Sequence, residues 1–254
     1  SAVTAGPPLS GGGGLGRVTS LSRFAGPIIP VRYRGHLFEG SRKLRMPDFV
    51  PEAPDLDFEL PVVLVAGTSM SAGKTLAGRA VVRQLKTLGH TVIGAKLCGA
   101  GRWRDTLSFG DAGADHTFDF VDAGLPTTVV SEDGYREAVS ALLRRMAATD
   151  GSVLVVEAGA SPLEPYNGGT LVELLGDRIV FTVVSASDPY AVVGIRDAWR
   201  RSIDLVCGPT ANTTAGVALV HELTGFPSLD LLDPASYSGL RQRLEAAVGA
   251  RGSA

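Results

Sequence analysis

One short segment constrains this chain more than any other. Residues 67–75 read Gly-Thr-Ser-Met-Ser-Ala-Gly-Lys-Thr, and they follow the apolar run of residues 61–66. Residues 76–88 come next, with apolar positions at helical spacing. A strand buried on both faces reads as a continuous apolar run, and phosphates bind at the N-terminus of a helix. The order of strand, glycine loop and helix therefore predicts a P-loop, a site for the phosphates of a nucleoside triphosphate.

The chemistry of phosphate binding assigns roles within this loop. Lys74 is predicted to reach the β and γ phosphates, and Thr75 to hold Mg²⁺. The loop N–H groups point at phosphate oxygens. The other loop residues predicted to bind the nucleotide are Gly67, Thr68, Ser69, Ser71, Ala72 and Gly73. The usual GxxxxGKT spacing requires glycine at position 68, where Thr68 stands, so Gly67 lies one residue early.

The alternation of strand and helix patterns continues along the chain. Strands are predicted at residues 91–97, 152–157, 179–184 and 205–207, and helices at 135–148, 191–199, 215–223 and 237–248. Repeated βα units predict an α/β fold with a doubly wound, mostly parallel sheet. Residues 61–254 form this domain, residues 18–60 a small β unit, and the Gly/Pro-rich residues 1–17 a flexible arm.

Composition narrows the class of partner. The 254 residues carry a formal net charge of -2, which provides no basic surface for nucleic acid or an anionic membrane. No apolar stretch approaches the length of a membrane span, and the start lacks a signal-peptide core, so we expect a cytoplasmic protein. Cys98 and Cys207 lack metal-ligand spacing and are expected to be small buried residues. The expected partners are a nucleotide and a small molecule.

Two charged residues close or interrupt apolar strands. Glu157 ends the run that begins at Val153, and Lys96 follows Val92-Ile-Gly-Ala. Ligands of open α/β sheets bind at the carboxyl ends of strands, which favours a functional role for both side chains. The alternatives are a glutamate solvated at the rim of the sheet and a lysine that reaches water.

Three loops carry further candidates. Residues 99–105 combine glycines with Arg102, Arg104 and Asp105, a composition suited to phosphate or carboxylate recognition, or else a mobile surface loop. Residues 161–169 are rich in turns and carry polar groups suited to a substrate, or else form a rigid connection; the candidates are Ser161, Tyr166 and Asn167. Asn212, after the strand at residues 205–207, is the candidate for reading adenine.

The acidic run over residues 111–122 allows two interpretations. It includes Asp111, Asp115, Asp119 and Asp122. It supplies one more Mg²⁺ ligand or a base, or its members are caps and solvated helix faces. His116 in the same run is interpreted as structural.

These motifs resemble known families. Gly67-Thr68-Ser69-x-x-x-Gly73-Lys74-Thr75 is similar to the loop of dethiobiotin synthetases and cobyrinic acid amidases. Gly94-Ala-Lys96 resembles the lysine-bearing strand of that group, and residues 155–160 resemble its Glu-Gly-Ala-Gly turn. Residues 157–175, which read Glu-Ala-Gly-Ala-Ser-Pro-Leu-Glu-Pro-Tyr-Asn-Gly-Gly-Thr-Leu-x-x-Leu-Leu, resemble a poorly characterised P-loop family. That family includes enzymes described as D-glutamate N-acetyltransferases.

The resemblance implies roles for single residues. Lys74 and Thr75 bind phosphate and Mg²⁺, Glu157 is an acidic Mg²⁺ group, and Lys96 contacts the transferred phosphoryl group or the substrate. Asp105 is the candidate for the other Mg²⁺-linked acid. Dethiobiotin synthetases often carry acidic residues near the positions of the loop serines, which argues against diamine carboxylation here. Relatives often dimerise, so the resemblance also implies a homodimer.

Three functions compete at this point. The first is an Mg²⁺-dependent ATP-using enzyme that phosphorylates or activates a small carboxylate-bearing substrate, of a ligase or amide-forming type. The second is an amino-acid N-acyltransferase whose glycine loop binds the pyrophosphate of an acyl-CoA donor. The third is a nucleotide-dependent switch, which an NKxD guanine motif would support, and the sequence contains none.

Overall fold

The structure is a computed structural model that describes residues 8–9, 20, 23, 29–159, 161–199 and 201–250. The predicted flexible arm over residues 1–17 lies outside the described residues except for positions 8 and 9. Ala160, the last residue of the segment at 155–160 that resembles other P-loop proteins, also lies outside them.

The elements alternate along the main body of the chain as the sequence pattern predicts. The strands, in chain order, are β1 Pro8–Leu9, β2 Ile29–Pro30, β3 Phe38–Glu39, β4 Arg42–Lys43, β5 Val62–Gly67, β6 Val92–Cys98, β7 His116–Asp119, β8 Val153–Ala158, β9 Ile179–Ser185 and β10 Leu205–Cys207. The helices are α1 Lys74–Thr87, α2 Trp103–Asp111, α3 Glu132–Ala147, α4 Gly168–Leu175, α5 Pro189–Trp199, α6 Thr214–Thr224 and α7 Tyr237–Gly249. The element order confirms the predicted α/β fold.

A six-stranded sheet forms the centre, in the order β10-β9-β5-β8-β6-β7. Every neighbouring pair in it is parallel. The chain leaves β5 for β6 and returns later to place β8 between them. Strand order reverses beside β5, and open α/β sheets bind ligands at the carboxyl ends of the strands at such a point.

Side-chain alternation along the strands divides the core into two layers. Val63 and Val65 of β5 face the layer covered by α1 and α7, where Leu85 is among the buried residues. Leu64 and its neighbours on the opposite face pack against α3 and α4, with Tyr135 fully buried. Successive residues of a strand point to opposite faces, so an apolar run with both faces covered buries every side chain. The charged residues that interrupt this pattern, Lys96 and Glu157, lie near the carboxyl ends of β6 and β8.

The N-terminal part confirms a small antiparallel β unit. β1 pairs with β2, and β3 pairs with β4 as a hairpin. A short 3-10 turn, Met46–Phe49, follows, and the next segment brings Phe58 into the core of the main sheet. The boundaries of the domain division at residues 17 and 60 stay predictions.

Two elements differ from the sequence interpretation. Residues 103–105, predicted as part of a loop, form the first turn of α2, which is anchored by the fully buried Phe109. The acidic run contains the edge strand β7, so Asp119 ends a strand of the sheet. Asp119 and Asp122 cap the turn that follows, in agreement with the expectation of caps. Hydrophobic periodicity does not reveal short elements with few apolar residues, because tertiary contacts decide their conformation.

Of the helices in the described part of the chain, none combines the length and the apolar character needed to cross a bilayer. Both cysteines are buried and neither is in a disulfide, as expected for small apolar residues.

Candidate functional site

The glycine loop joins the end of β5 to the start of α1. Gly73 adopts φ 101°, which favours glycine, and α1 begins at the next residue. The Lys74 ammonium folds back across the loop and donates to the Ser69 carbonyl oxygen at 2.6 Å. The loop therefore closes around its own lysine at the N-terminus of a helix, the position at which backbone N–H groups and the helix dipole favour anions.

The early glycine has a steric explanation. A Cβ atom at Gly67 would lie 2.7 Å from Cγ of Lys74, closer than side-chain atoms pack. The folded-back lysine stem occupies the space that any larger side chain at position 67 would need. The one-residue departure from the usual spacing thus places glycine where the strand passes under Lys74.

The ends of β9 and β10 lie against the phosphate loop. The Ser185 hydroxyl, at the end of β9, donates to the Ala72 carbonyl oxygen at 2.5 Å, and the Thr68 N–H donates to the Ser185 carbonyl oxygen at 3.1 Å. Gly208, which follows β10, adopts φ 90°, and a Cβ atom there would lie 2.6 Å from the Ala72 oxygen. These contacts fix the loop on the sheet before any ligand arrives.

Thr75 and Glu157 meet across the gap between α1 and β8. The Thr75 hydroxyl donates to the Glu157 carboxylate at 2.9 Å. Burial raises the pKa of Glu157, while the charge of Lys96 and the Thr75 hydrogen bond oppose the shift. Burial likewise lowers the pKa of the Lys74 ammonium, and the Glu157 charge opposes that change. The side chains of Glu157 and Lys74 are thus desolvated at the rim of the sheet. This excludes the alternative interpretation, in which Glu157 is solvated.

Lys96 lies in a row of charged residues at the carboxyl edge of the sheet. It is in register with Glu157 of β8 on one side and with Asp119 of β7 on the other. All three side chains are buried, at 4%, 2% and 3% exposure respectively. The Lys96 ammonium donates to the carboxylate of Asp105 in α2, and this carboxylate is also buried. Lys96 is therefore almost fully buried, and its charge is balanced by Asp105 inside the protein.

The residues predicted from separate motifs meet around one cavity of about 320 Å³. Its lining consists of Met70, Ser71, Lys74, Thr75, Lys96, Ala100, Arg102, Arg104, Asp105 and Glu157. Four of these side chains are cationic and two are acidic, so the lining carries an excess of two positive charges. The whole chain has a formal net charge of -2, so positive charge is concentrated at this cavity. An anionic ligand is the chemical complement of such a lining.

The other predicted site residues lie outside this lining. Ser161 is buried, and its hydroxyl accepts a hydrogen bond from the Leu163 N–H at 3.2 Å. Tyr166 is half-buried in the same loop. Asn167 adopts φ 61°, and its amide donates to two carbonyl oxygens in the segment before α3, those of Thr128 and Val130.

Asn212 is exposed and directly follows the short turn after β10. That loop begins with Gly208 against the phosphate loop, so Asn212 is on the nucleotide side of the sheet.

Sequence reasoning did not predict the supporting roles of two residues, Ser185 and Asp119. Ser185 is fully buried at the end of β9, and Asp119 accepts a hydrogen bond from the Thr106 hydroxyl at 2.8 Å. Burial raises the pKa of Asp119, which the Thr106 hydrogen bond opposes. Polar residues that close apolar strands drew attention to Glu157, and the same signal identifies Ser185. Asp119 carried no such signal because β7 is too short and too polar to be predicted.

The protein oxygens at this site suit a magnesium ion only when a bound nucleotide supplies further ligands. The described residues contain no cluster of three or more His, Cys, Asp or Glu side chains that would hold a metal by themselves. Mg²⁺ bound to a nucleotide typically takes one or two protein oxygens and completes its shell with phosphate oxygens and waters. The Thr75 hydroxyl and the buried Glu157 carboxylate are oxygen donors 2.9 Å apart beside the phosphate loop, which fits this pattern.

Comparisons with known proteins found distant likenesses to solved structures and no family. No protein-family model matches the chain, and no curated protein matches it. A solved structure of chloroplast FtsY from Physcomitrella patens is similar at 13% identity and a TM-score of 0.49, over 76% of this chain and 68% of that one. A DUF1611 family protein from Anabaena variabilis is similar at 16% identity and a TM-score of 0.48, over 78% of this chain and 63% of that one.

FtsY from Mycoplasma mycoides is similar at 12% identity and a TM-score of 0.45, over 78% of this chain and 70% of that one. At such identities and TM-scores nothing about this chain is argued from these likenesses. The strand order, the loop between β5 and α1 and the cavity at the sheet edge are features of the chain itself, and together they describe an α/β domain with the P-loop NTPase fold.

Proposed function

We propose that this protein is an Mg²⁺-dependent enzyme that binds ATP and uses its terminal phosphate to activate a small carboxylate-bearing substrate. One observation carries the proposal. The Thr75–Glu157 contact and the Lys96–Asp105 pair open onto the same cationic cavity. The predicted nucleotide site and a second set of charged groups therefore face one cavity. A volume of about 320 Å³ lies within the range of small-molecule sites.

The nucleotide occupies the phosphate-loop side in this proposal. Lys74 leaves the Ser69 carbonyl oxygen and binds the β and γ phosphates, and the N–H groups of the loop bind the remaining oxygens. Thr75 and Glu157 hold Mg²⁺, which neutralises charge on the phosphate oxygens when it is bound. Asn212 is the proposed contact of the adenine base.

The acceptor lies on the α2 side of the cavity. Arg102 and Arg104 line it and offer the planar, multiple N–H donors that suit a carboxylate. Their spacing of two residues places both at the start of α2. Ser161, Tyr166 and Asn167, in the loop after β8 and outside the cavity lining, stay proposed as further substrate contacts.

The reaction class follows from these placements. An acceptor carboxylate oxygen bonds to the γ phosphorus while the bond from that phosphorus to the β–γ bridging oxygen breaks, which yields ADP and an acyl phosphate. Lys74 and Lys96 stabilise the charge on the transferred group by position, because phosphoryl transfer needs little covalent chemistry from the protein. A ligase or amide-forming reaction of the dethiobiotin synthetase type, in a homodimer, is the finer form of this proposal.

Calorimetric titration tests the nucleotide part. ATP, GTP and acetyl-CoA are titrated into the wild-type protein, with and without Mg²⁺. We expect Mg²⁺-dependent binding of ATP that weakens about 10- to 100-fold in Lys74→Ala, the equivalent of one charge-assisted hydrogen bond. Lys86→Ala, which removes a surface lysine paired with Asp115, is the matched control and should bind as the wild type does.

Other outcomes redirect the assignment. Binding of acetyl-CoA without ATP would replace this proposal by the acyltransferase, and binding of GTP alone would change the nucleotide. The substrate part is tested by ADP release in the presence of a panel of small carboxylates, in wild type and in Arg104→Ala. An acceptor whose KM rises in Arg104→Ala without a loss of ATP affinity would support the placement of its carboxylate on α2.

A further inference from the structure

Both lysines of the cavity are already bound to protein oxygens, but in different ways. Lys74 donates to a neutral backbone carbonyl, that of Ser69, at 2.6 Å. Lys96 donates to the charged carboxylate of Asp105. An arriving phosphate replaces a neutral partner of Lys74 without meeting a negative charge there. A phosphate that approaches Lys96 meets the Asp105 carboxylate, which is also negatively charged and already binds the Lys96 ammonium.

Asp105 is fixed in this place by its own helix. It lies in the first turn of α2, its backbone N–H donates to the Arg102 carbonyl oxygen at 2.9 Å, and it is 7% exposed. The next residue, Thr106, is tied to Asp119 of β7, so the sheet holds this turn. Asp105 and Lys96 both line the cavity that Lys74 and Thr75 enter. The Asp105 carboxylate therefore lies in the same cavity lining as the phosphate-loop residues.

We propose that Asp105 is a specificity-determining residue that occupies Lys96 in place of a terminal phosphate, so that this site distinguishes nucleoside triphosphates from diphosphates. The inference rests on the proposed function, in which the phosphate loop binds a nucleotide. A diphosphate ends at Lys74 and leaves the Lys96–Asp105 pair intact. A triphosphate brings its γ phosphate to Lys96, and the charge repulsion displaces Asp105 together with the first turn of α2.

The displaced carboxylate does not leave Lys96 without negative neighbours. Glu157 and Asp119 remain in register on either side of it, and the charges of both interact with Lys96. Lys96 therefore keeps two acidic neighbours while its hydrogen-bond partner changes. Displacing Asp105 therefore lowers the affinity for the triphosphate and does not affect that for the diphosphate. This difference is the selectivity that Asp105 provides.

The direct test measures ATP and ADP affinity in the presence of Mg²⁺. In Asp105→Asn the repulsion disappears, so we expect the affinity for MgATP to rise at least tenfold while that for MgADP changes less than threefold. Asp111→Asn is the matched control, since it removes a carboxylate at the exposed end of the same helix. It should leave the ratio of the two affinities unchanged.

A second measurement leaves Asp105 in place and so does not depend on how well Asp105→Asn folds. Trp103 begins α2 and is 71% exposed, and the chain has two tryptophans. In Trp199→Phe the emission of Trp103 reports on the first turn of α2. We expect MgATP to change this emission and MgADP to leave it as in the free protein.

The outcomes separate this inference from the proposed function. Equal affinity changes for both nucleotides, or equal Trp103 responses, would overturn the role of Asp105 while nucleotide binding stands. A selective loss of MgATP affinity in Asp105→Asn would also overturn it and would favour Asp105 as a metal-linked acid. If neither nucleotide binds to the wild type, both proposals fail.

Discussion

Thr75 and Glu157 are 82 positions apart in the sequence, and the Thr75 hydroxyl donates to the Glu157 carboxylate at 2.9 Å. One residue belongs to the first turn of α1, and the other is near the end of β8. The parallel pairing of β5 with β8 creates this contact, because it brings the end of β8 beside the loop that follows β5. The contact places an acidic oxygen and a hydroxyl where a nucleotide-bound cation would need them.

Glu157→Gln should remove the Mg²⁺ dependence of ATP binding. The variant keeps the shape of the side chain and an oxygen for the Thr75 hydroxyl but loses the charge. We expect MgATP affinity to fall about 10- to 100-fold, the effect of one charge-assisted interaction, while metal-free ATP binds at least as well as before. Calorimetric titration with and without Mg²⁺ measures this difference.

Glu164→Gln is the control for that experiment. Glu164 lies in the loop after the same strand, is exposed, and accepts the Ser161 N–H at 2.6 Å. Its variant should keep the Mg²⁺ effect. A Glu157→Gln protein that binds MgATP as tightly as the wild type would remove Glu157 from the proposed metal site.

The same substitution should change how stability depends on pH. Burial raises the pKa of Glu157 above its ordinary value of 4.5, so the folded protein binds this proton more tightly than the unfolded chain does. The contribution of Glu157 to the free energy of unfolding therefore falls as pH rises from about the ordinary value through the raised pKa. Glu157→Gln lacks this loss, so its stability relative to the wild type should increase across that pH range.

Urea unfolding of the metal-free proteins between pH 4.5 and 8 measures the relative stability. The comparison of the two proteins cancels the contributions of the other titrating groups, including Asp119, whose pKa burial also raises. A stability difference that is constant with pH would contradict the raised pKa of Glu157.

Gly208→Ala should damage nucleotide binding through the phosphate loop. Gly208 adopts φ 90°, and an added Cβ atom would lie 2.6 Å from the Ala72 carbonyl oxygen. Gly225 is the matched control, because it has φ 73° and an added Cβ atom there would meet nothing within 4 Å. The positive φ should lower the stability of each alanine variant by about 1–3 kcal/mol, but only Gly208→Ala displaces the loop.

Thermal unfolding and ATP titration separate the two effects. We expect both alanine variants to lose stability and only Gly208→Ala to lose ATP affinity, by about tenfold or more, the equivalent of about 1.4 kcal/mol. Unchanged ATP affinity in Gly208→Ala would show that the loop tolerates displacement at Ala72.

The sequence by itself determined the class of fold and the position of the phosphate loop. The run before Gly67 and the Gly73-Lys74-Thr75 ending are local signals, since a buried strand, a glycine turn and a helix start each leave a pattern in neighbouring residues. Glu157 and Lys96 were also found locally, because a charge that interrupts an apolar strand is conspicuous without any knowledge of its partners.

Only the tertiary structure decided how these groups meet. The Lys96–Asp105 pair, the register of Lys96 with Asp119 and the support of Ala72 by Ser185 all join separate elements. α2 and β7 were missed because they are short, and packing against the sheet decides their conformation. Strand order is a property of long-range pairing, and neither periodicity nor spacing within one segment records which strand lies beside which. The strand order therefore decides which charged side chains line the cavity.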